Sequence, residues 1–209
     1  MLRQDTGGED LGEEETGRED VDTRDAGTRD AGTGDAGTED AGREGTGRVF
    51  VRVARPEEYG LVGDLTVEVY VHGGLVSPES SYVRTLRDAG DRAAKAELLV
   101  AEVAGEIAGA VAYCPPGSPY AELAGPGEAE FRMLAVREAE RRTGVGRAMV
   151  RACVERARAA GLAGLRLSTQ RNMAAAQRMY ERMGFVRTPE RDWSPVPGVD
   201  LLTYALPLC

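Results

Sequence analysis

Residues 1–47 cannot contribute to a buried core, so whatever this chain folds into must be built from the 162 residues that follow. "DAGTR", "DAGTG", "DAGTE" and "DAGRE" (Asp25 to Glu44) recur with a period of five, and no aromatic residue precedes Phe50. A five-residue period matches neither a solenoid nor a heptad, and a glycine in every unit opposes helix. The same segment holds 15 Asp and Glu against 5 Arg, too much like charge for too little apolar surface. The sequence predicts a disordered acidic tail over residues 1–47. It would serve either as a solubilising or translation-start segment of no specific role, or as an electrostatic tether for a basic partner.

Of the chain's 35 acidic and 26 basic residues, 20 and 21 remain after Gly47, so residues 48–209 form a nearly neutral region. That length suits one domain with a real core. Its charge balance lacks the basic, aromatic-interleaved stripe of a nucleic-acid binder. No apolar run approaches the roughly 20 residues of a membrane span, and no secretory leader is recognisable, which predicts a cytoplasmic protein. Cys114, Cys153 and Cys209 have no metal-ligand spacing and are too few for a disulfide framework, so no metal is expected.

Along the domain, Arg48 to Ala54 alternates with Val49, Val51 and Val53 on one face and predicts a strand. Tyr59 to Tyr70 predicts a helix, residues 71–81 a loop, and "YVRTLRDAGDRAAKA" a second helical segment. Residues 97–114 predict a hairpin around Gly105, followed by a punctuated loop at 115–128 and a strand from Ala129 to Val136. A helix follows from Gly144, with Val145, Met149, Cys153, Val154, Ala157 and Ala160 at helical spacing and Gly161 as its stop. "LAGLRLSTQ" reads as a strand, "NMAAAQRMYERMGF" as a helix with Met173, Ala176, Tyr180 and Met183 on one face, and "LLTYALPL" as a terminal strand. The whole is a mixed α/β domain, with parallel neighbours expected where helices alternate with strands.

"RRTGVGRAMV" (141–150) is a poor helix start in isolation. Thr143 suits an N-cap, but Gly144 and Gly146 each cost about 1 kcal/mol relative to Ala, and no acid complements the helix dipole. Free N–H groups, glycines for close backbone approach and the cations Arg141, Arg142 and Arg147 together predict a pyrophosphate cradle. It is not a P-loop, because Gly146-Arg147-Ala148 replaces Gly-Lys-Ser/Thr. Nor is it a dinucleotide fingerprint, because Met149 stands where the third glycine would be.

Arg141-x-x-Gly144-x-Gly146, placed five residues after the strand end at Val136 and followed by "YERMGF" (Tyr180 to Phe185), resembles the GCN5-related N-acetyltransferase (GNAT) superfamily. That family's acetyl-CoA motif is Gln/Arg-x-x-Gly-x-Gly/Ala, and Tyr-Glu-x-x-Gly-Phe is a common ending. The likeness spans residues 48–209 in element order, with 129–185 carrying nearly all of it. It implies a central mixed, mostly antiparallel twisted sheet flanked by helices. It also implies transfer of an acetyl group from acetyl-CoA to a primary amine of a small molecule or peptide, by direct attack in a ternary complex and without a metal. A non-catalytic acyl-CoA sensor is the alternative, and a tyrosine acid beside the sulfur separates the two.

By the same resemblance, Leu134, Ala135 and Val136 would receive the pantetheine arm through backbone groups, and Arg141, Arg142, Thr143, Gly144, Val145, Gly146 and Arg147 would hold the pyrophosphate. Tyr180 takes the place of the general acid that protonates the departing thiolate; otherwise it is a core aromatic of its helix. Glu130 takes the place of a catalytic base, or else serves packing or an ion pair. Period two puts it on the face of Leu134 and Val136, about 13 Å from Leu134 along the strand, so as a base it would act through water. The asparagine often found seven residues before the tyrosine is absent, since Met173 stands there and Asn172 one place earlier. The acceptor pocket falls to residues 71–81, 114–128 and 190–199. His72 would border it or be a solvated loop residue, and Trp193 would line it or pack in a turn. Apolar sheet edges make a homodimer a reasonable assembly.

Overall fold

The computed structural model describes residues 48–208; the predicted disordered tail, and Cys209, lie outside the described residues. Among the described residues seven strands form one sheet: β1 (Phe50–Val53), β2 (Glu97–Val103), β3 (Glu106–Cys114), β4 (Glu128–Val136), β5 (Gly164–Gln170), β6 (Val186–Arg187) and β7 (Leu201–Pro207). Their order is β1-β2-β3-β4-β5-β7-β6, and every registered pair is antiparallel except β4 with β5. The sheet is thus mixed and mostly antiparallel. The parallel pairing expected across the second half holds for β4–β5 alone, because β7 returns antiparallel beside β5 and the short β6, unforeseen from sequence, closes that edge.

Both faces of the sheet are covered, which is why β2 and β3 are nearly continuous buried runs rather than alternating ones. On one face α4 (Val145–Ala159) and α5 (Ala174–Arg182) pack Val145, Met149, Cys153 and Tyr180 onto Leu99, Val111, Phe131 and Leu167. On the other, α1 (Tyr59–His72) and α3 (Ala89–Lys95) pack Val62, Leu65 and Ala89 onto Leu98, Val100, Ala110 and Ala135. At the edge, Val49 and Val51 join the first cluster as their alternation predicts, but Val53 is half exposed, as is Phe50. Among the described residues no helix is long and apolar enough to cross a membrane.

The single helical segment expected over 82–96 is two helices, α2 (Tyr82–Arg87) and α3. Asp88 breaks it: at ψ 74 its carboxylate accepts the Asp91 N–H at 2.9 Å, the local alternative to helix that short acidic side chains offer. Arg92, 1% exposed, reaches back to the carbonyls of Thr85 and Leu86 at 2.8 and 2.6 Å, serving the acceptors that α2 leaves at its end.

A bulge in β4 changes the expected register. Ala112 opposes Arg132 and Ala110 opposes Ala135, so Met133 and Leu134 together face Val111, with Met133 at φ 52. One extra residue inverts side-chain parity. Leu134 and Val136 pack on the α4 side, whereas Ala135 belongs to the α1 side. Glu130 pairs with Cys114, whose cluster includes Met133 and Leu86 of α2, and so lies opposite Leu134 and Val136. The period-two placement of Glu130 on their face is corrected by the bulge.

Candidate active site

β4 and β5 are registered over only three pairs, Glu128 to Glu130 against Gly164 to Arg166. Beyond them the strands part, and from Phe131 onward β4 has no registered partner on that side. A cavity of about 560 Å³ opens there. Its floor comes from Phe131, Met133 and Leu134 of β4, Ser168 to Gln170 of β5, and Tyr180 of α5. All three loops expected to build an acceptor pocket contribute, through Leu75 and Val76, through Glu122, and through Trp193, Pro195 and Val196.

Tyr180 owes its place to the "YERMGF" stretch. The helix ends in a Schellman motif: the Phe185 N–H donates to the Tyr180 carbonyl at 3.1 Å and the Gly184 N–H to that of Glu181 at 3.0 Å. Gly184, at φ 90, is the left-handed residue this closure requires. The turn folds Phe185 back beside Tyr180, with ring centroids 6.0 Å apart, and Phe131 and Tyr204 complete the cluster. Tyr180 is 3% exposed, lines the cavity, and makes no side-chain hydrogen bond among the described residues. Burial pushes its phenol well above the usual tyrosine range, so it keeps its proton at any physiological pH.

The start of α4 differs in detail from its sequence reading. Thr143 is not the N-cap: its hydroxyl donates to the Glu140 carbonyl at 2.7 Å, and Gly144, at φ 100, occupies the cap position. With Arg142 also left-handed at φ 68, the chain turns sharply into the helix. Consequently no N–H from Arg142 to Arg147 donates to a protein acceptor among the described residues; the first to do so is Ala148, to Gly144 at 2.9 Å. Arg141, Arg142 and Arg147 are exposed around this row of six donors. Gly144 is required by its φ, but Gly146 is not required by the fold. An added Cβ there would meet Val136 and Met179 no closer than 3.6 Å, an ordinary contact. The space over Gly146 adjoins Val136, two residues along β4 from Leu134, which lines the cavity.

Glu130 does not line the cavity. It is fully buried, and one carboxylate oxygen accepts the N–H groups of Glu122 and Leu123 at 2.7 Å and of Ala124 at 3.4 Å. The other oxygen has no hydrogen bond among the described residues and stands 3.7 Å from the Arg132 Nε. Burial raises its pKa, while the backbone donors and Arg132 oppose the rise. Arg132 and Glu122, missed in the sequence, do reach the cavity and pair at 2.7 Å. No periodicity marks Glu122, which lies in a loop, and Arg132 is in regular register with Glu130, so only the bulge after it separates its face from that of Leu134. Gln170 is a further omission: its Nε2 donates to the Leu75 carbonyl at 2.7 Å, tying the α1–α2 loop to the end of β5 across the cavity.

Trp193 lines the cavity and bridges to Leu201, with its indole N–H buried and without a partner among the described residues. His72 ends α1, exposed, and is not among the lining residues; Asn172 is exposed as well. Cys114 and Cys153 are buried thiols, Cys114 pushed up to about 12 and Cys153 higher still by desolvation, which makes them inert packing groups. Among the described residues no group of three or more His, Cys, Asp or Glu is placed to hold a metal ion.

The chain is 35% identical over 91 residues to N-acetyltransferase family 8 member 3 of Rattus norvegicus, a match covering 44% of this chain and 39% of the rat protein. The chain therefore spans well under half the length of that relative. Among solved structures, a putative GNAT-family acetyltransferase from Desulfovibrio desulfuricans superposes with a TM-score of 0.61 at 24% identity, covering 78% of this chain and all of that one. A putative acetyltransferase from Salmonella typhimurium, solved with its cofactor acetyl-CoA, gives 0.59 at 18% identity over 77% of this chain and 94% of its own. Residues 67–185, more than half of the chain, match the family described as the Acetyltransferase (GNAT) family. On this match, and on a fold shared with its solved members, the chain belongs to the GNAT acetyltransferase family.

Proposed function

We propose that this protein transfers an acetyl group from acetyl-CoA to a primary amine, both reactants being bound together. The observation that carries the reading is the row of six N–H groups from Arg142 to Arg147 without a protein acceptor among the described residues, in a stretch with three exposed arginines, following the strand β4 whose Leu134 lines a cavity with Tyr180. A pyrophosphate suits such a row, because backbone donors without protein acceptors favour an anion and residues 141–147 contain no acidic side chain to compete. The bare backbone of Gly146 supports the reading, since the fold itself would tolerate a Cβ there.

From that anchor the pantetheine arm runs along Leu134 to Val136, bonding backbone groups that β5 leaves free, and the thioester arrives beside Tyr180. Holding amine and thioester in one cavity supplies orientation that free solution lacks. The acceptor, an ammonium ion near neutral pH, first releases a proton to solvent; attack by the neutral amine nitrogen then forms the C–N bond, and the C–S bond breaks with its electron pair leaving on sulfur. Tyr180 gives its proton to that sulfur and is restored by the proton the new amide nitrogen sheds. A phenol raised by burial is a weak acid, so its hydrogen bond to the developing thiolate contributes alongside the transfer itself. For Glu130 we assign a positioning role: it fixes residues 122–124 and hence the cavity wall, while its buried carboxylate stays off the reaction path.

The test is calorimetric titration of acetyl-CoA, with ADP as control, into the full chain and into Gly146→Glu, followed by CoA release with amines by the native chain and Tyr180→Phe. The expected outcome is binding of acetyl-CoA tighter than ADP, lost in Gly146→Glu with the fold retained, and turnover reduced about 100-fold or more in Tyr180→Phe at similar acetyl-CoA affinity. Failure of the native chain to bind acetyl-CoA would end the transferase reading. Binding without any effect of Tyr180→Phe on turnover would remove the acid.

A further inference from the structure

The charged groups of the cavity carry one step beyond the proposed reaction, on which this inference rests. Glu122 and Arg132 are the only charged residues among those lining it. All three guanidinium nitrogens of Arg132 are engaged: one donates to the Tyr120 carbonyl at 2.8 Å, one pairs with Glu122 Oε2 at 2.7 Å, and Nε faces Glu130 Oε1 at 3.7 Å. The cation is therefore already held between two carboxylates. Glu122 is not saturated in the same way. Its Oε2 is used by Arg132, its Oε1 has no protein partner among the described residues, and its side chain is 39% exposed. The loop that carries it is fixed from behind, where Glu130 collects the N–H groups of Glu122, Leu123 and Ala124.

We propose that Glu122 is the residue that receives the acceptor as its ammonium ion, and that the acceptor is an apolar-bodied amine without a carboxylate beside the nitrogen. A primary alkylamine is almost wholly protonated near neutral pH, so it arrives as a cation. The free oxygen of Glu122 offers it a charge-assisted hydrogen bond. Tyr70, Tyr82, Phe131 and Trp193 supply apolar contact and aromatic faces that attract a cation. A carboxylate on the same substrate would meet a guanidinium that two glutamates already neutralise, and would lie against the Glu122 oxygen instead. The cavity thus discriminates between two ligands of one shape by charge, favouring the amine over the amino acid.

Three probes sharing a phenylethyl body read this directly by calorimetry on the full chain, with and without acetyl-CoA: 2-phenylethylamine, L-phenylalanine and 2-phenylethanol. The amine is expected to bind at least about 10-fold tighter than either of the others. Glu122→Gln is expected to weaken the amine by about 10- to 100-fold and to leave 2-phenylethanol unchanged, while Glu122→Asp retains part of the preference. Equal or tighter binding of L-phenylalanine, an amine preference that survives Glu122→Gln, or binding of none of the probes would overturn the proposal. The comparison on the native chain stands even if a variant misfolds. Amine preference without acetyl-CoA binding would sink the transferase reading but not the cation site, and the reverse result would sink only the cation site.

Discussion

Replacing Glu130 separates a loop clamp from a catalytic base. In Glu130→Ala the N–H groups of Glu122 and Leu123 lose an acceptor at 2.7 Å each, and that of Ala124 a weaker one at 3.4 Å. A hydrogen bond to a charged acceptor contributes about 1.5–3 kcal/mol. Burial, which raises the Glu130 pKa, offsets part of this by disfavouring the ionised form, so the low end applies. Two short bonds then give about 3 kcal/mol, or a Tm lower by about 6–12 °C for a domain of this size. Glu130→Gln keeps a carbonyl oxygen for the same donors and loses only the charge assistance, about 1 kcal/mol and about 2–4 °C. The assay is thermal unfolding by circular dichroism of the full chain, with a pH–rate profile for CoA release from an accepted amine. A Gln variant with unchanged Tm, a large loss of kcat and a flattened pH profile would refute the clamp and restore the base.

Acid should destabilise the domain through a different set of carboxylates. Hydrogen bonds from Arg52, then Arg55, hold Glu58 far below the usual range; Arg166 lowers Glu128, and Arg187 lowers Asp192. Their folded pKa values lie below the unfolded ones, so their stabilisation is complete above the unfolded values of about 4 and is lost as pH falls through the folded values. Tm is expected to fall steadily below about pH 4.5, less steeply in Glu58→Gln; a flat profile down to about pH 3 would contradict this. Glu130, whose pKa is raised, acts with the opposite sign, its cost appearing as pH rises past the unfolded value. Gly109→Ala is expected to lose about 1–3 kcal/mol in chemical denaturation, because a Cβ there would stand 2.7 Å from the Ala135 carbonyl oxygen and 2.8 Å from Met149 Cε, under α4; unaltered stability would show that β3 and α4 can separate freely.

The sequence by itself determined the parts whose physics is local. Residues 129–136 and 145–159 announce a strand and an amphipathic helix by their periodicity, and the glycines between them, with no acid in the first turn, announce a helix start whose N–H groups the chain itself leaves free among the described residues. "YERMGF" contains its own helix stop, and the Schellman closure that seats Phe185 beside Tyr180 needs only those residues. Thr143 shows the margin of such reading: a good capping side chain lost the position to a left-handed Gly144 one residue on.

What only the tertiary structure decided depends on contacts between distant segments. The bulge at Met133 arises from how β4 pairs with β3, and by adding one residue it turned Glu130 away from Leu134 and Val136. The separation of β4 from β5 after three pairs opens the cavity, and no pattern within either strand encodes it. Glu122 gains its setting from a carboxylate eight residues away and a guanidinium ten residues away, and Gln170 ties down a loop 95 residues earlier. Periodicity records which side of an element is buried. It cannot record which loops meet over a cavity, because that is fixed by the register and divergence of strands that neighbour one another only after the sheet has formed.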